Sequence, residues 1–169
     1  LHEGEKDVMK ASSYGLGELI KSALDRGCRR IYIGIGGSAT NDGGVGMAQA
    51  LGVSFKDAKG SEVGTGAQVL GEIEQIDLSG LDPRIRESEI TVICDVTNPL
   101  CGPKGASYVY GPQKGANSSQ IVELDKSLSH FADITEKAIG KDLRNESGAG
   151  AAGGTGFALM SFLNAELLP

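Results

Sequence analysis

The sequence predicts an α/β fold, a mixed and partly parallel sheet flanked by helices, and three observations carry that expectation. Segments with helical periodicity alternate with short, β-branched apolar runs. The length of 169 residues suits one compact domain with its own core and is short for two. The 26 glycines are about twice the average usage of roughly 7%. They cluster at 34–46, 102–115 and 148–156, between the periodic segments, where loops need unusual backbone angles or close approach to a ligand.

The elements follow in order. After Ser12 and Ser13, "YGLGELIKSALDRG" sets Leu16, Leu19, Ile20, Ala23 and Leu24 on one helical face, with a serine to cap the start and Gly27 at the exit. "RRIYIGI" predicts a buried strand over 29–35. Beyond the first glycine cluster come a short helix over 45–51 and a brief strand "VSF" that turns at "DAKG". Residues 67–88 mix a short helix, a strand over 73–78 and an irregular link through Pro83. "EITVICD" predicts a second buried strand that stops at Asp95, and the Gly/Pro-rich stretch after it has room for one short helix. From 119 to 139 the apolar residues Ile121, Leu124, Leu128, Phe131, Ile134 and Ala138 recur at helical steps, and Gly140 closes the segment. A last helix carries Phe157, Met160 and Leu163. There is no internal repeat.

Composition excludes several function classes. The net charge is −6 and the basic residues are scattered, which argues against nucleic acid as a partner. No apolar run approaches the roughly 20 residues that span a bilayer, so no membrane association is expected. The stretch "LHEGEKDVMK" lacks a secretory hydrophobic core, and a cytoplasmic protein is expected. Cys28, Cys94 and Cys101 have no CxxC spacing and only His2 and His130 to join them, so reduced thiols are expected rather than a zinc site. The chain opens with Leu and runs almost directly into a helix, as an excised segment of a longer protein would.

The loop "GIGGSATNDGGVG" is the first motif. Gly34-Ile-Gly36-Gly37-Ser38-Ala39 fits G-x-G-x-x-[GA] after a strand, and Asp57 lies at a plausible distance to take a ribose. The fit is spoiled by Gly43 and Gly44, since each glycine in a first helical turn costs about 1 kcal/mol. No Walker-type G-x-x-x-x-G-K-[ST] occurs. The loop does offer successive backbone N–H groups at 36–38 and 43–45, with Ser38, Thr40 and Asn41 as side-chain donors, for an anion. It reads equally as a helix-capping turn with Asp42 as the cap. Asp95, at the end of a strand, stands where open α/β sheets bind ligands and has the chemistry to hold Mg²⁺ or take a hydroxyl proton. A turn-forming Asp bonded to the Thr97 amide fits the same residues. Lys104 and Lys114 lie in matching contexts, "GPKGA" and "PQKGA", that suit an anion, although solvated loop lysines are common.

Taken together, "YGLGELI", "IGIGGSATNDGGVGMAQALG", "IDLSGLDPR", "CDVTNPLCGPKGASYVYGPQKGA" and "GAGAAGGTGFALM" resemble the bacterial glycerate kinases of glucarate and glyoxylate metabolism, in order and spacing, over nearly the whole chain. The resemblance implies transfer of phosphate from ATP to a hydroxyl of D-glycerate, leaning to the 2-phosphate, with Mg²⁺ as cofactor. It further implies two α/β domains around one site. This chain (1–169) would be the second, central domain, with the first domain of the same polypeptide as its partner and without the family's N- and C-terminal stretches. Alone, such a segment is expected to be inactive. By resemblance, Gly36, Gly37, Ser38, Asn41, Thr97, Asn98, Lys104 and Lys114 become substrate or phosphate ligands. Asp95 and Asp42 become the catalytic carboxylates, with Asp95 as base or Mg²⁺-linked group. Two other readings stay open at this point, a dinucleotide-binding oxidoreductase module and a structural domain without a small ligand. The oligomeric state is open too, a homo-oligomer included.

Overall fold

A computed structural model describes residues 6–169. Two parallel strands form its spine. β1 (Arg30–Gly34) pairs with β4 (Glu89–Ile93), Arg30 opposite Glu89 and Gly34 opposite Ile93. β5 (Glu166–Leu168) adds in parallel to the other side of β4, giving the order β1-β4-β5. β2 (Ser54–Lys56) and β3 (Gln75–Asp77) make a separate antiparallel pair. The helices are α1 (Tyr14–Asp25), α2 (Val45–Ala50), α3 (Ala106–Tyr110), α4 (Ser118–Ile139) and α5 (Ala151–Leu163). Among the described residues, 3₁₀ turns at Ala67–Glu72, Pro83–Glu87 and Pro112–Lys114 join these elements. None of the described helices is long and apolar enough to cross a membrane.

The α/β class expected from the alternation is therefore the class observed. The sheet differs from expectation in one respect. β1 and β4 were expected to be buried on both faces, but Ile33, Ile90 and Val92 face the core while Tyr32 stays 66% exposed and Ile93 48%. Successive strand residues alternate sides, and the helices of this chain cover one side only. The core centres on α4, whose Phe131 ring lies 5.9–6.3 Å from those of Phe55, Phe157 and Phe162, so all four phenylalanines of the chain meet there.

Local chemistry explains most element ends. α4 starts at a capping box: Asn117 Oδ1 accepts from the Gln120 N–H at 3.0 Å and Gln120 Oε1 accepts from the Asn117 N–H at 2.9 Å. α1 ends in a Schellman turn, with the Gly27 N–H on Leu24 O and the Cys28 N–H on Ala23 O. The expected serine cap of α1 comes from Ser12, whose Oγ accepts from the Tyr14 N–H at 3.2 Å, and not from Ser13. Ser13 occupies the N-cap position, but its hydroxyl donates to Asp42 Oδ2 at 2.8 Å and accepts from the Met47 N–H at 2.9 Å, tying α1 to α2. β5 was not expected, because three residues carry no readable period; the free edge of β4 recruits them.

Candidate active site

The C-terminal ends of β1 and β4 bring the Gly36–Ser38 loop and Asp95 side by side. With Tyr110, Gln113, Lys114 and the Ala151–Ala152 turn they line a cleft of about 280 Å³. A second hollow of about 460 Å³ adjoins it, bounded by Lys6 and Ala39 and by Gly37, Ser38, Gln113 and Lys114, which both cavities share. Lys114 thus stands in a common wall.

Its setting is unusual for a lysine. The residue is 5% exposed. Nζ donates to Ser38 Oγ at 3.0 Å and to the Thr40 carbonyl at 2.7 Å, which leaves one of the ammonium's three protons uncommitted. Burial pushes its pKa down to about 8, against the opposing charge of Asp42. Asp95 is the complement. It is exposed at the cleft, and among the described residues no hydrogen bond or ion pair engages its carboxylate. The turn-forming role considered for it does not appear.

The three glycine clusters converge on this place. Gly43 N–H donates to Gly153 O at 3.0 Å, and the carbonyl of Ala152 accepts from the hydroxyls of Thr155 (2.9 Å) and Thr40 (3.4 Å). Lys114 and Ser107, from the second cluster, reach Ser38, Thr40 and Asn41 in the first. Ala152 holds a left-handed φ of 51°, an uncommon state for a residue with a Cβ, followed by Gly153 at 68° and Gly154 at 91°. At Gly153 only glycine fits, since a Cβ would lie 2.0 Å from Thr40 O. A structural domain without a ligand would have no need to gather these loops at one cleft.

Other expected site residues fall elsewhere. Asp42 has no exposed surface and lines neither cavity. Its Oδ2 accepts from Ser13 N–H (2.7 Å), Ser13 Oγ (2.8 Å) and Gly46 N–H (3.3 Å), and its Oδ1 from Gly44 N–H (3.2 Å). Burial pushes its pKa up despite these four donors. This is the capping role in enlarged form, a tie holding α1, α2 and the glycine loop together. Asn41 is also buried, with Nδ2 on Ser107 Oγ at 3.0 Å and Oδ1 without a partner among the described residues. Asn98 lies behind the cleft: Nδ2 donates to Lys104 O (2.8 Å) and Oδ1 accepts from the Tyr110 hydroxyl (2.7 Å). Thr97 is exposed beside β5 in a small hollow of about 190 Å³. Lys104 is exposed and lines neither cavity around Lys114. The structure thus gathers Gly36, Gly37, Ser38, Asp95 and Lys114 and leaves out Asp42, Asn41, Thr97, Asn98 and Lys104.

Tyr110, Gln113 and Ala152 were not singled out in the sequence. Tyr110 ends α3 and Lys114 lies in the 3₁₀ turn that follows Gly111 and Pro112, so no helical spacing in the sequence pairs them. Asp57, the acidic residue of the dinucleotide reading, turns the chain after β2 by accepting from the Lys59 and Ser61 N–H groups, away from the cleft. Gly43 and Gly44 take left-handed φ values of 62° and 76° ahead of α2, so the helix starts beyond the place a dinucleotide turn requires. Among the described residues no three His, Cys, Asp or Glu side chains cluster as a metal cage. Asp95 is the one carboxylate among the residues lining the cleft, and Mg²⁺ characteristically binds one or two carboxylates and completes its shell with water and substrate phosphates.

The family model described as "Glycerate kinase family" matches residues 1–169. A glycerate 2-kinase of Escherichia coli K12 is 56% identical over 163 residues, covering 96% of this chain and 43% of that protein. A glycerate kinase of Bacillus subtilis 168 is 53% identical over the same length, with the same shares covered. The crystal structure of a putative glycerate kinase 2 from Salmonella typhimurium LT2 superposes with a TM-score of 0.96 at 49% identity, over 98% of this chain and 44% of that one. The chain therefore spans less than half the length of these relatives. It belongs to the glycerate kinase family.

Proposed function

We propose that this chain supplies one wall of the active site of an ATP-dependent glycerate kinase, the other wall coming from the remainder of a polypeptide of the relatives' length. The observation that carries this reading is Lys114 in the wall between two adjoining cavities, one holding the unpaired carboxylate of Asp95 and the other lined by Lys6 and the loop amides. Phosphoryl transfer requires little covalent help from the protein and much positioning and charge neutralisation. D-glycerate lies in the first cavity, its hydroxyl at Asp95, which takes the proton as the oxygen attacks. The phosphates of ATP lie in the second. Lys114 and the N–H groups of Gly36 to Ser38 meet the transferring group between them. Mg²⁺, when bound, neutralises phosphate charge, and Asp95 is the residue of this chain suited to hold it. A cytoplasmic location accords with the need for ATP.

Transfer to O2, giving 2-phosphoglycerate, is favoured by the 56% identity to a protein named glycerate 2-kinase. The test is a coupled assay on the full-length protein with D-glycerate and ATP, read through enolase without added mutase, so that only the 2-phosphate is consumed. Asp95→Asn should lower turnover by about 10²-fold or more with a smaller change in KM. Turnover near that of the parent would remove Asp95 from the chemistry. Isolated residues 1–169 should show no turnover.

A further inference from the structure

The hydroxyl of Tyr110 has its proton assigned by its surroundings. A backbone carbonyl only accepts, so the contact of Asn98 with Lys104 O at 2.8 Å fixes the amide's Nδ2 on that side. Asn98 Oδ1 then faces Tyr110, and at 2.7 Å the phenol must donate to it. What remains on the phenolic oxygen is acceptor capacity. Burial, with the nearby Asp95 charge adding to it, raises the pKa of Tyr110, so the phenol stays protonated and the donation to Asn98 persists through the neutral range.

Tyr110 and Asp95 line the same cleft as Lys114, Gly36 and Gly37. The cleft is therefore divided by hydrogen-bonding sense. Asp95 and Tyr110 accept, while Lys114 and the loop amides donate. A small hydroxy acid with two hydroxyls matches this division, its hydroxyls donating to the two acceptors while the donors serve the transferring phosphoryl group. One hydroxyl is claimed by Asp95 for transfer, and the second needs an acceptor that takes no proton from it.

We infer that Tyr110 is a specificity-determining residue that accepts a hydrogen bond from the glycerate hydroxyl that is not phosphorylated. The inference rests on the glycerate kinase reading above and, with transfer to O2, assigns the 3-hydroxyl to Tyr110. A site that hydrogen-bonds a substrate hydroxyl rejects the analogue lacking it, because its polar group is then left unpaired. D-Lactate is that analogue, D-glycerate without the 3-hydroxyl.

The experiment compares kcat/KM for D-glycerate and D-lactate in the full-length protein and its Tyr110→Phe variant. If D-lactate is not turned over, its inhibition constant against D-glycerate takes the place of its kcat/KM. Tyr110→Phe should lower kcat/KM for D-glycerate by about 10-fold, the loss of roughly one hydrogen bond, and leave the D-lactate value within about twofold. The preference for glycerate shrinks accordingly. Asn98→Ala, which frees the phenol but keeps its oxygen, should retain the preference. An equal loss on both ligands, no loss on either, a loss confined to the KM for ATP, or an equal collapse in Asn98→Ala would each overturn the assignment. Failure of the unaltered full-length protein to phosphorylate D-glycerate would overturn the underlying reading itself.

Discussion

Lys114 carries an ammonium into a place where it is 5% exposed, and that should register in the pH dependence of stability. Its pKa is about 8 in the folded chain against 10.5 for an ordinary lysine, because burial disfavours the charged form. The unfolded chain therefore holds this proton more tightly than the folded one. Below pH 8 both states are protonated and the fold bears the cost of the buried charge. As pH rises past 8 the folded state releases the proton while the unfolded chain keeps it toward 10.5, so stability rises across that window. Between about pH 7 and about pH 9.5 the gain is about 2 kcal/mol. Lys114→Met keeps most of the stem volume and abolishes the effect. Urea unfolding of both proteins at the two pH values measures it, the quantity of interest being the difference between parent and variant. Taking that difference cancels Cys101, whose thiol burial pushes up to about 12 and which moves stability in the opposite sense over part of the same range. The parent should gain about 2 kcal/mol on the variant from the lower to the higher pH. A difference constant to within about 0.5 kcal/mol would refute the buried ammonium.

Three further outcomes are expected. The same lysine should give kcat/KM for D-glycerate an alkaline limb, falling above about pH 8 as the free enzyme loses the ammonium, while kcat holds to higher pH because a bound anion keeps it charged; a flat profile to about pH 9.5 would contradict this. Asp42→Ala strands four buried donors from Ser13, Gly44 and Gly46 and should lower unfolding free energy by at least about 3 kcal/mol in denaturant titration. A loss under about 1 kcal/mol would mean the tie between α1 and α2 is dispensable. Gly153→Ala puts a Cβ against Thr40 O at a φ of 68° and should lower the thermal midpoint sharply, whereas Gly15→Ala, in open space, should not.

The elements legible in the sequence are those whose cause is local. α1 and α4 carry uninterrupted apolar periods. β1 and β4 are dense in β-branched residues, and each ended within two residues of its expected position. β5 was illegible because three residues at the edge of β4 owe their strand state to that edge. The one-sided burial of the sheet was illegible for a similar reason: Tyr32 and Ile93 sit in apolar runs, and only the helix positions determine which face is covered.

The candidate site divides along the same line. Its glycine loops, the strand-end position of Asp95 and the family were all readable from residues close together in the chain. Asp42 and Asp95 were not distinguishable there, nor Lys104 and Lys114, because each pair shares residue type and loop context. The tertiary structure separates them. Ser13, 29 residues away, draws Asp42 into the core, while Asp95 keeps an unpaired carboxylate at the cleft. Ser38 and Thr40, more than 70 residues away, hold Lys114 in the cavity wall, and among the described residues Lys104 has no such partner and stays exposed. By itself the sequence determined the fold class, the family and the loops that form the cleft, since backbone sterics and hydrophobic period act over a few residues. Which polar groups line the cleft was decided only in three dimensions, because burial and hydrogen-bond partnership depend on residues that the chain brings together from far apart.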